Sequence, residues 1–215
     1  MSFTSWSWCL CVSILLLGGS ARGGWFAELG LGTAFSLPSN LVIRQDGEED
    51  IELVARYDTR PLHEVPYYDL RVGKADRRGA WELELVHHKL YLANRPGEVE
   101  LFEITHGYNL MTANRALALG DVVLRLGAGT VMTHPESTIR GRVFDERQGI
   151  LTTGWYFSGP CAQVGAGWQR PLSDRWRLNA ELKLTGAWAR VPVAGGTADV
   201  PNLALHLVAG AGYSF

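Results

Sequence analysis

The sequence predicts an all-β chain, an antiparallel transmembrane β-barrel of eight strands, or of ten. Three observations predict it. An uncharged apolar run, Cys9 to Leu17, is followed by the small residues Gly18, Gly19, Ser20 and Ala21, the layout of a secretory signal peptide. At the other end, LALHLVAGAGYSF sets Leu203, Leu205, Leu207, Ala209, Ala211, Tyr213 and Phe215 on one face and His206, Gly210 and Ser214 on the other. A last strand with a fully apolar face is how barrels of the Gram-negative outer membrane finish. Between these ends, apolar alternation recurs at the 9 to 11 or so residues that a tilted strand needs to cross hydrocarbon.

The amino-terminal run is too short to cross a bilayer as a helix. The expected division is therefore a signal peptide over residues 1–21 and a barrel domain over 22–215; the alternative is a buried N-terminal helix. Removing the signal takes Cys9 and Cys11 and leaves Cys161 as the only thiol, so no intramolecular disulfide can form. An exported chain without one must gain stability from a sizeable core or from a membrane. A net charge of −2 gives no sign of nucleic-acid binding. The 25 glycines and 8 tryptophans favour a closed sheet with regular turns.

Eight segments carry the pattern: Trp25 to Ser36, Pro66 to Ala75, Trp81 to Leu92, Glu98 to Met111, Val122 to Met132, Tyr156 to Gln169, Trp176 to Trp188 and Leu203 to Phe215. ADRRG, RPG, TANRALALGD, PLSD and GGTADVPN read as the turns between them. TANRALALGD is long for a periplasmic turn. Short turns belong to the periplasm and long loops to the exterior, and an even strand count returns both ends to the periplasm. Thr133 to about Trp155 is then an external loop. Leu41 to Gln45 and Ile51 to Tyr57 also alternate, around the acidic turn DGEED. They make either an extracellular hairpin on eight strands or two more wall strands in a barrel of ten.

The alternation sorts the side chains. Leu70, Leu83, Leu124, Leu126, Leu182 and Leu184 fall on faces suited to lipid, while Asp69, Arg71, Glu82, Glu84, Arg125, Glu181, Lys183 and His206 fall on the opposite faces. A barrel of eight strands is filled by side chains, so charges of both signs should pair across the lumen, since an unpaired one costs several kcal/mol. Such a filling disfavours a pore.

One hairpin breaks the pattern. LVHHKLYLANRPGEVELFEITHGYNL, residues 85–110, sets His87, His88, Lys89 and His106 among apolar neighbours. With Pro96 and Gly97 as the loop, His87 lies opposite His106, Lys89 opposite Ile104, Tyr91 opposite Phe102 and Leu85 opposite Tyr108, on the outward face. Opposed Cβ atoms lie about 4.5 to 5.5 Å apart, close enough for two imidazoles to share a proton or a metal. At that height an outward Lys with histidines and tyrosines meets the headgroups of the outer leaflet, in this membrane lipopolysaccharide, to which it is chemically suited. A plain interfacial belt is the alternative. In THPESTIRGR, His134 and Glu136 offer ligands to complete a divalent metal site with His87 and His106, without a tight spacing such as HExxH. Ser137 near His134 also permits a Ser-His hydrolase reading, which only geometry can support.

The run Val86-His87-His88-Lys89-Leu90-Tyr91, then Phe102 to Leu110, Gly127-Ala128-Gly129 with His134 and Glu136, Gly159 to Gln163 and Glu181 to Thr185, resembles the lipid A oxidase family of outer-membrane proteins. The resemblance covers roughly Pro66 to Gly186. It implies an outer-membrane barrel that oxidises the proximal glucosamine of lipid A to an aminogluconate with molecular oxygen. Taken with the residues, it implies His87 and His106 as base or metal ligands, His134 and Glu136 as further ligands, and Lys89, Tyr91 and Tyr108 as substrate contacts, Lys89 meeting phosphate. No flavin or nicotinamide fingerprint is present, so the electrons need another acceptor. The expected partner is lipopolysaccharide, and the chain is expected to be a monomer. The competing class is a non-catalytic structural or adhesion barrel.

Overall fold

In the computed structural model, residues 24–144 and 149–215 are described; the expected signal segment lies outside them. In chain order the strands are β1 (Trp25–Ser36), β2 (Ser39–Gln45), β3 (Ile51–Ala55), β4 (Tyr57–Asp58), β5 (Tyr68–Asp76), β6 (Gly79–Leu92), β7 (Val99–Leu119), β8 (Val122–Thr133), β9 (Glu136–Ile139), β10 (Arg142–Val143), β11 (Tyr156–Pro171), β12 (Trp176–Val193) and β13 (Gly196–Ser214). Eight of them form the wall, each antiparallel to the next, in the order β1-β5-β6-β7-β8-β11-β12-β13. The ring closes where β1 pairs with β13, from Phe26 with Ser214 to Ser36 with Ala204. The strand count is therefore eight. β2 and β3 form the hairpin outside the wall, with β2 extending the sheet at the upper end of β13.

The two faces separate as the alternation requires. Leu124, Leu182 and Leu207 are 41, 50 and 59% exposed, whereas their neighbours Arg125, Lys183 and His206 are 3, 1 and 0% exposed. Oily side chains outside and ionic ones inside would be the wrong way round in water. In hydrocarbon this is the only stable arrangement. The chain is an outer-membrane β-barrel.

The lumen is filled by an ion-pair network. Arg71 donates to Glu28 at 2.6 Å, Glu84 at 2.6 Å and Glu181 at 2.9 Å. Arg125 donates to Glu82 and Glu181, both at 2.9 Å. Lys183 meets Asp69 at 2.5 Å and also Glu84. Glycines make room for these side chains: a Cβ at Gly127 would lie 1.7 Å from Asn114 Oδ1, and one at Gly165 2.5 Å from Glu181 Oε1. This filling occupies the interior of an eight-stranded barrel with side chains.

Above the ionic layer the interior is apolar. Leu41, Ile43 and Ile51 from the β2–β3 hairpin pack with Leu90, Ile104, Ile139, Val191 and Val200 in one buried cluster. This apolar plug is a correction to the expectation of a purely salt-bridged interior. It forms because β6, β7, β12 and β13 rise beyond the membrane, where the usual rule of apolar inside and polar outside returns.

Two expected turns are strand instead. TANRALALGD continues β7 to Leu119, leaving Gly120 and Asp121 as the turn, and GGTADVPN is mostly the start of β13, with the turn at Ala194 and Gly195. The opening hairpin is also corrected. Tyr91 pairs with Glu103 and Leu90 with Ile104, then the register shifts, so that His88 pairs with Tyr108 and His87 with Asn109. The connection is longer than a tight Pro-Gly turn, and Thr105, His106 and Gly107 stand opposite Lys89 alone as a bulge. Gly107 has φ +142°, and a Cβ there would lie 2.3 Å from the Asn109 side chain, so only glycine fits.

Candidate functional site

Partners in a ladder share a face. Trp81, Leu83 and Leu85 look outward, so His87 and its partners Tyr68 and Asn109 do too. The His87 ring stacks on Tyr68 at 4.9 Å and an interplanar angle of 8°. Its Nδ1 lies 2.8 Å from Asn109 Oδ1. An amide oxygen only accepts, so Nδ1 carries the proton and Nε2 presents a lone pair. That Nε2 is buried and has no hydrogen-bond partner among the described residues.

The segment between β4 and β5 crosses over this outer face. Lys89, fully buried, donates its ammonium to the His63 carbonyl. Tyr91 lies beneath Arg60, whose guanidinium is 4.4 Å from the ring centroid, and beside the His63 ring. Arg60 is the half-exposed cation of this group. Lys89, expected to contact phosphate, instead ties the crossing segment to the wall, and Arg60 and His63 are the residues sequence reasoning missed. Tyr108 is a correction: it points into the lumen and donates its hydroxyl to the Val200 carbonyl at 2.9 Å. A one-residue change of register turns a side chain to the other side of a sheet.

The bulge that displaces His106 from His87 carries it to the external loop. His106 is half exposed, and its Nδ1 lies 2.9 Å from Glu136 Oε1. Thr105 Oγ1 donates to the same oxygen at 2.9 Å. His134 reaches the group because its backbone N–H bonds the Gly107 carbonyl at 3.2 Å. Its ring is 5.0 Å from the His106 ring and 5.2 Å from Trp155. One ligand atom from each of His106, His134 and Glu136 lies within 4.8 Å of the others. His106 thus joins the expected pair His134 and Glu136, and His87 does not belong to this cluster.

This rim lies above the membrane-crossing part of the wall. The hydrogen bond from His106, reinforced by Thr105, holds the Glu136 carboxyl below its ordinary range despite partial burial. Its ladder partner Glu103 is pushed up, first by burial and then by the charges of Glu136 and Glu64. Two imidazoles and a carboxylate converging with open positions are a donor set suited to a divalent transition metal such as iron or manganese. The residues therefore fit such an ion. Ser137 pairs with Phe102 and is buried, and its hydroxyl has no hydrogen-bond partner among the described residues, so it forms no Ser-His pair with His134 there. Thr105, Trp155 and Tyr68 had no sequence signal linking them to the histidines; the bulge and the stacking are tertiary.

No family model matches the sequence, and no curated protein matches it. Solved structures with a similar fold include Ail, the attachment invasion locus protein of Yersinia pestis, at 12% identity and TM-score 0.43, covering 91% of this chain and 100% of that one. Outer membrane protein AlkL, in lipid bilayers, has 14% identity and TM-score 0.48, with 93% of each chain covered. Outer membrane protein W of E. coli has 16% identity and TM-score 0.41, covering 90% and 98%.

Proposed function

We propose that this barrel acts on lipid A of lipopolysaccharide as a lipid A oxidase-like enzyme, and that His106, His134 and Glu136 hold a divalent metal ion for it. The observation that carries the reading is the convergence of those three donors on the outer rim. Just below, on the outward side, Arg60 is half exposed over Tyr91, while His87 and Tyr68 stack beneath the crossing segment, a group suited to the level of lipid headgroups. The reading takes the chain to work as a monomer, since one barrel carries the whole group.

The chemistry balances with oxygen as co-reactant. The anomeric carbon of a free hemiacetal loses its hydrogen and the hydroxyl proton with two electrons and becomes a lactone; oxygen takes both electrons and both protons and becomes hydrogen peroxide. Water then opens the lactone to the aldonic acid. A bound metal would supply the path by which electrons reach oxygen. His87 carries a bare Nε2 below this rim, but that atom is buried, so it takes the hydroxyl proton only where the substrate displaces its cover. Arg60 over Tyr91 supplies a cation for a lipid phosphate.

The test is mass spectrometry of lipid A from isogenic cells with the gene, without it, and with His106→Ala, His134→Ala or Glu136→Gln. The reading expects a product 16 Da heavier than its hemiacetal precursor (one oxygen gained) only with the parent gene. Unchanged lipid A with the parent, at full expression and folding, would leave the non-catalytic structural or adhesion barrel as the function.

A further inference from the structure

The end of the barrel opposite the candidate site carries an unusual row. On the outer face, Trp25 pairs with Lys74, Lys74 with Trp81, and Trp81 with Arg115, across β1, β5, β6 and β7. Aromatic and cation alternate along it, and each cation stands over a tryptophan: Lys74 Nζ is 5.9 Å from the Trp25 ring and the Arg115 guanidinium 5.5 Å from the Trp81 ring. The short turn between β5 and β6 adds exposed Arg77 and Arg78 just below. Arg115 is paired with Asp76 at 2.7 Å. Lys74, Arg77 and Arg78 have no carboxylate partner among the described residues, so their charge faces outward uncompensated. The opposite end has the reverse balance, with the acidic DGEED turn at the tip of the β2–β3 hairpin.

Tryptophans in an outward row mark the boundary between hydrocarbon and headgroups. A cation held over such a ring is confined to the plane where lipid phosphates lie, and its stacking partner leaves the ammonium or guanidinium edge open. We infer that the Trp25–Lys74–Trp81–Arg115 row, with Arg77 and Arg78, is a binding lane for the phosphodiester headgroups of anionic glycerophospholipid in the inner leaflet of the outer membrane. Charge complementarity names the occupant: zwitterionic lipid returns no net charge to three uncompensated cations, whereas phosphatidylglycerol does. The inference stands apart from the proposed enzyme, which uses the other rim.

The folded protein is purified in mild detergent, given phosphatidylglycerol and phosphatidylethanolamine in equal amounts, and its retained lipids are counted by native mass spectrometry. Phosphatidylglycerol is expected in excess, by roughly fivefold for each engaged cation. Lys74→Glu with Arg77→Glu and Arg78→Glu abolishes the excess, Lys74→Arg keeps it, and Arg56→Glu at the far rim leaves it unchanged. Folding is read from the heat-dependent electrophoretic shift of an intact barrel; should the triple variant not fold, Lys74→Glu and Arg78→Glu are measured singly and each lowers the excess. Equal retention of the two lipids by the parent overturns the inference. So does an excess that survives charge reversal, displacement by inorganic phosphate, or a preference of this row for lipopolysaccharide.

Discussion

Replacing Arg71 by Met tests the lumen directly. The guanidinium is 3% exposed and stands within 3.6 Å of five carboxylates, those of Glu28, Asp69, Glu82, Glu84 and Glu181. Among the described residues, only Arg125 and Lys183 share their neutralisation in the buried layer, with Arg177 reaching Glu28 from the rim. At an effective dielectric of about 20, a unit pair 4 Å apart is worth about 4 kcal/mol. Desolvating the guanidinium takes back several kcal/mol, so the contacts do not sum. What remains after substitution is a set of buried carboxylates short of one cation, a situation that costs about 3 to 5 kcal/mol. Met fills similar volume, so cavity formation adds little. Reversible guanidinium unfolding in phospholipid vesicles, followed by tryptophan fluorescence, reads the loss. Arg115→Met is the control: its pair with Asp76 is partly exposed at the rim, and it should cost under about 1 kcal/mol. Adding Glu84→Gln to Arg71→Met should recover part of the loss. If Arg71→Met costs no more than Arg115→Met, the packed ionic lumen is not what holds the barrel, and the reasoning fails.

Leu207 faces lipid between Thr33 and Leu182, so Leu207→Arg should destabilise the vesicle-embedded barrel by about 2 to 4 kcal/mol, while the same change in detergent-exposed loops does little. The parent should bind one divalent transition ion in titration calorimetry, with affinity falling about tenfold or more in Glu136→Gln, and chelation should abolish binding without unfolding the wall. His106→Ala removes the hydrogen bond that depresses Glu136, so carbon-detected titration should show that carboxyl moving up towards its ordinary value. The sign follows: a depressed folded value contributes stability above the ordinary carboxylate pKa, lost as pH falls through the depressed value, and the variant lacks that acid-side loss. A Glu136 titration unmoved by His106→Ala would contradict the cluster's geometry.

The wall was legible because each residue type had one solvent to satisfy. Leu182, Lys183 and Leu184 could be sorted by alternation alone, as could Leu124 and Arg125. TANRALALGD reads as a turn because Arg115 puts a charge on the lipid-facing side, at the height where headgroups and Asp76 receive it. The upper wall was obscured for a related reason: the outer solvent changes partway along a strand. In β13 the odd-numbered face runs from Thr197, Asp199 and Pro201 to Leu203, Leu205 and Leu207, while the even-numbered face runs from Ala198 and Val200 to Asn202 and His206. One periodicity thus carries two opposite polarity codes, and the change near Pro201, beside Trp188 in β12, marks the outer membrane boundary.

The candidate site lies close to this boundary, so its residues are legible in the sequence and their pairing is not. His106, His134 and Glu136 are conspicuous as residue types wherever they fall. Their juxtaposition depends on a bulge that inserts Thr105, His106 and Gly107 opposite a single residue, and no local propensity reports how many residues a strand will put there. Gly107 was the available signal. A glycine between a histidine and a tyrosine, in a strand otherwise rich in large side chains, marks a place where the backbone leaves the ladder, and it is this departure that carries His106 away from His87 to the rim where His134 and Glu136 await it.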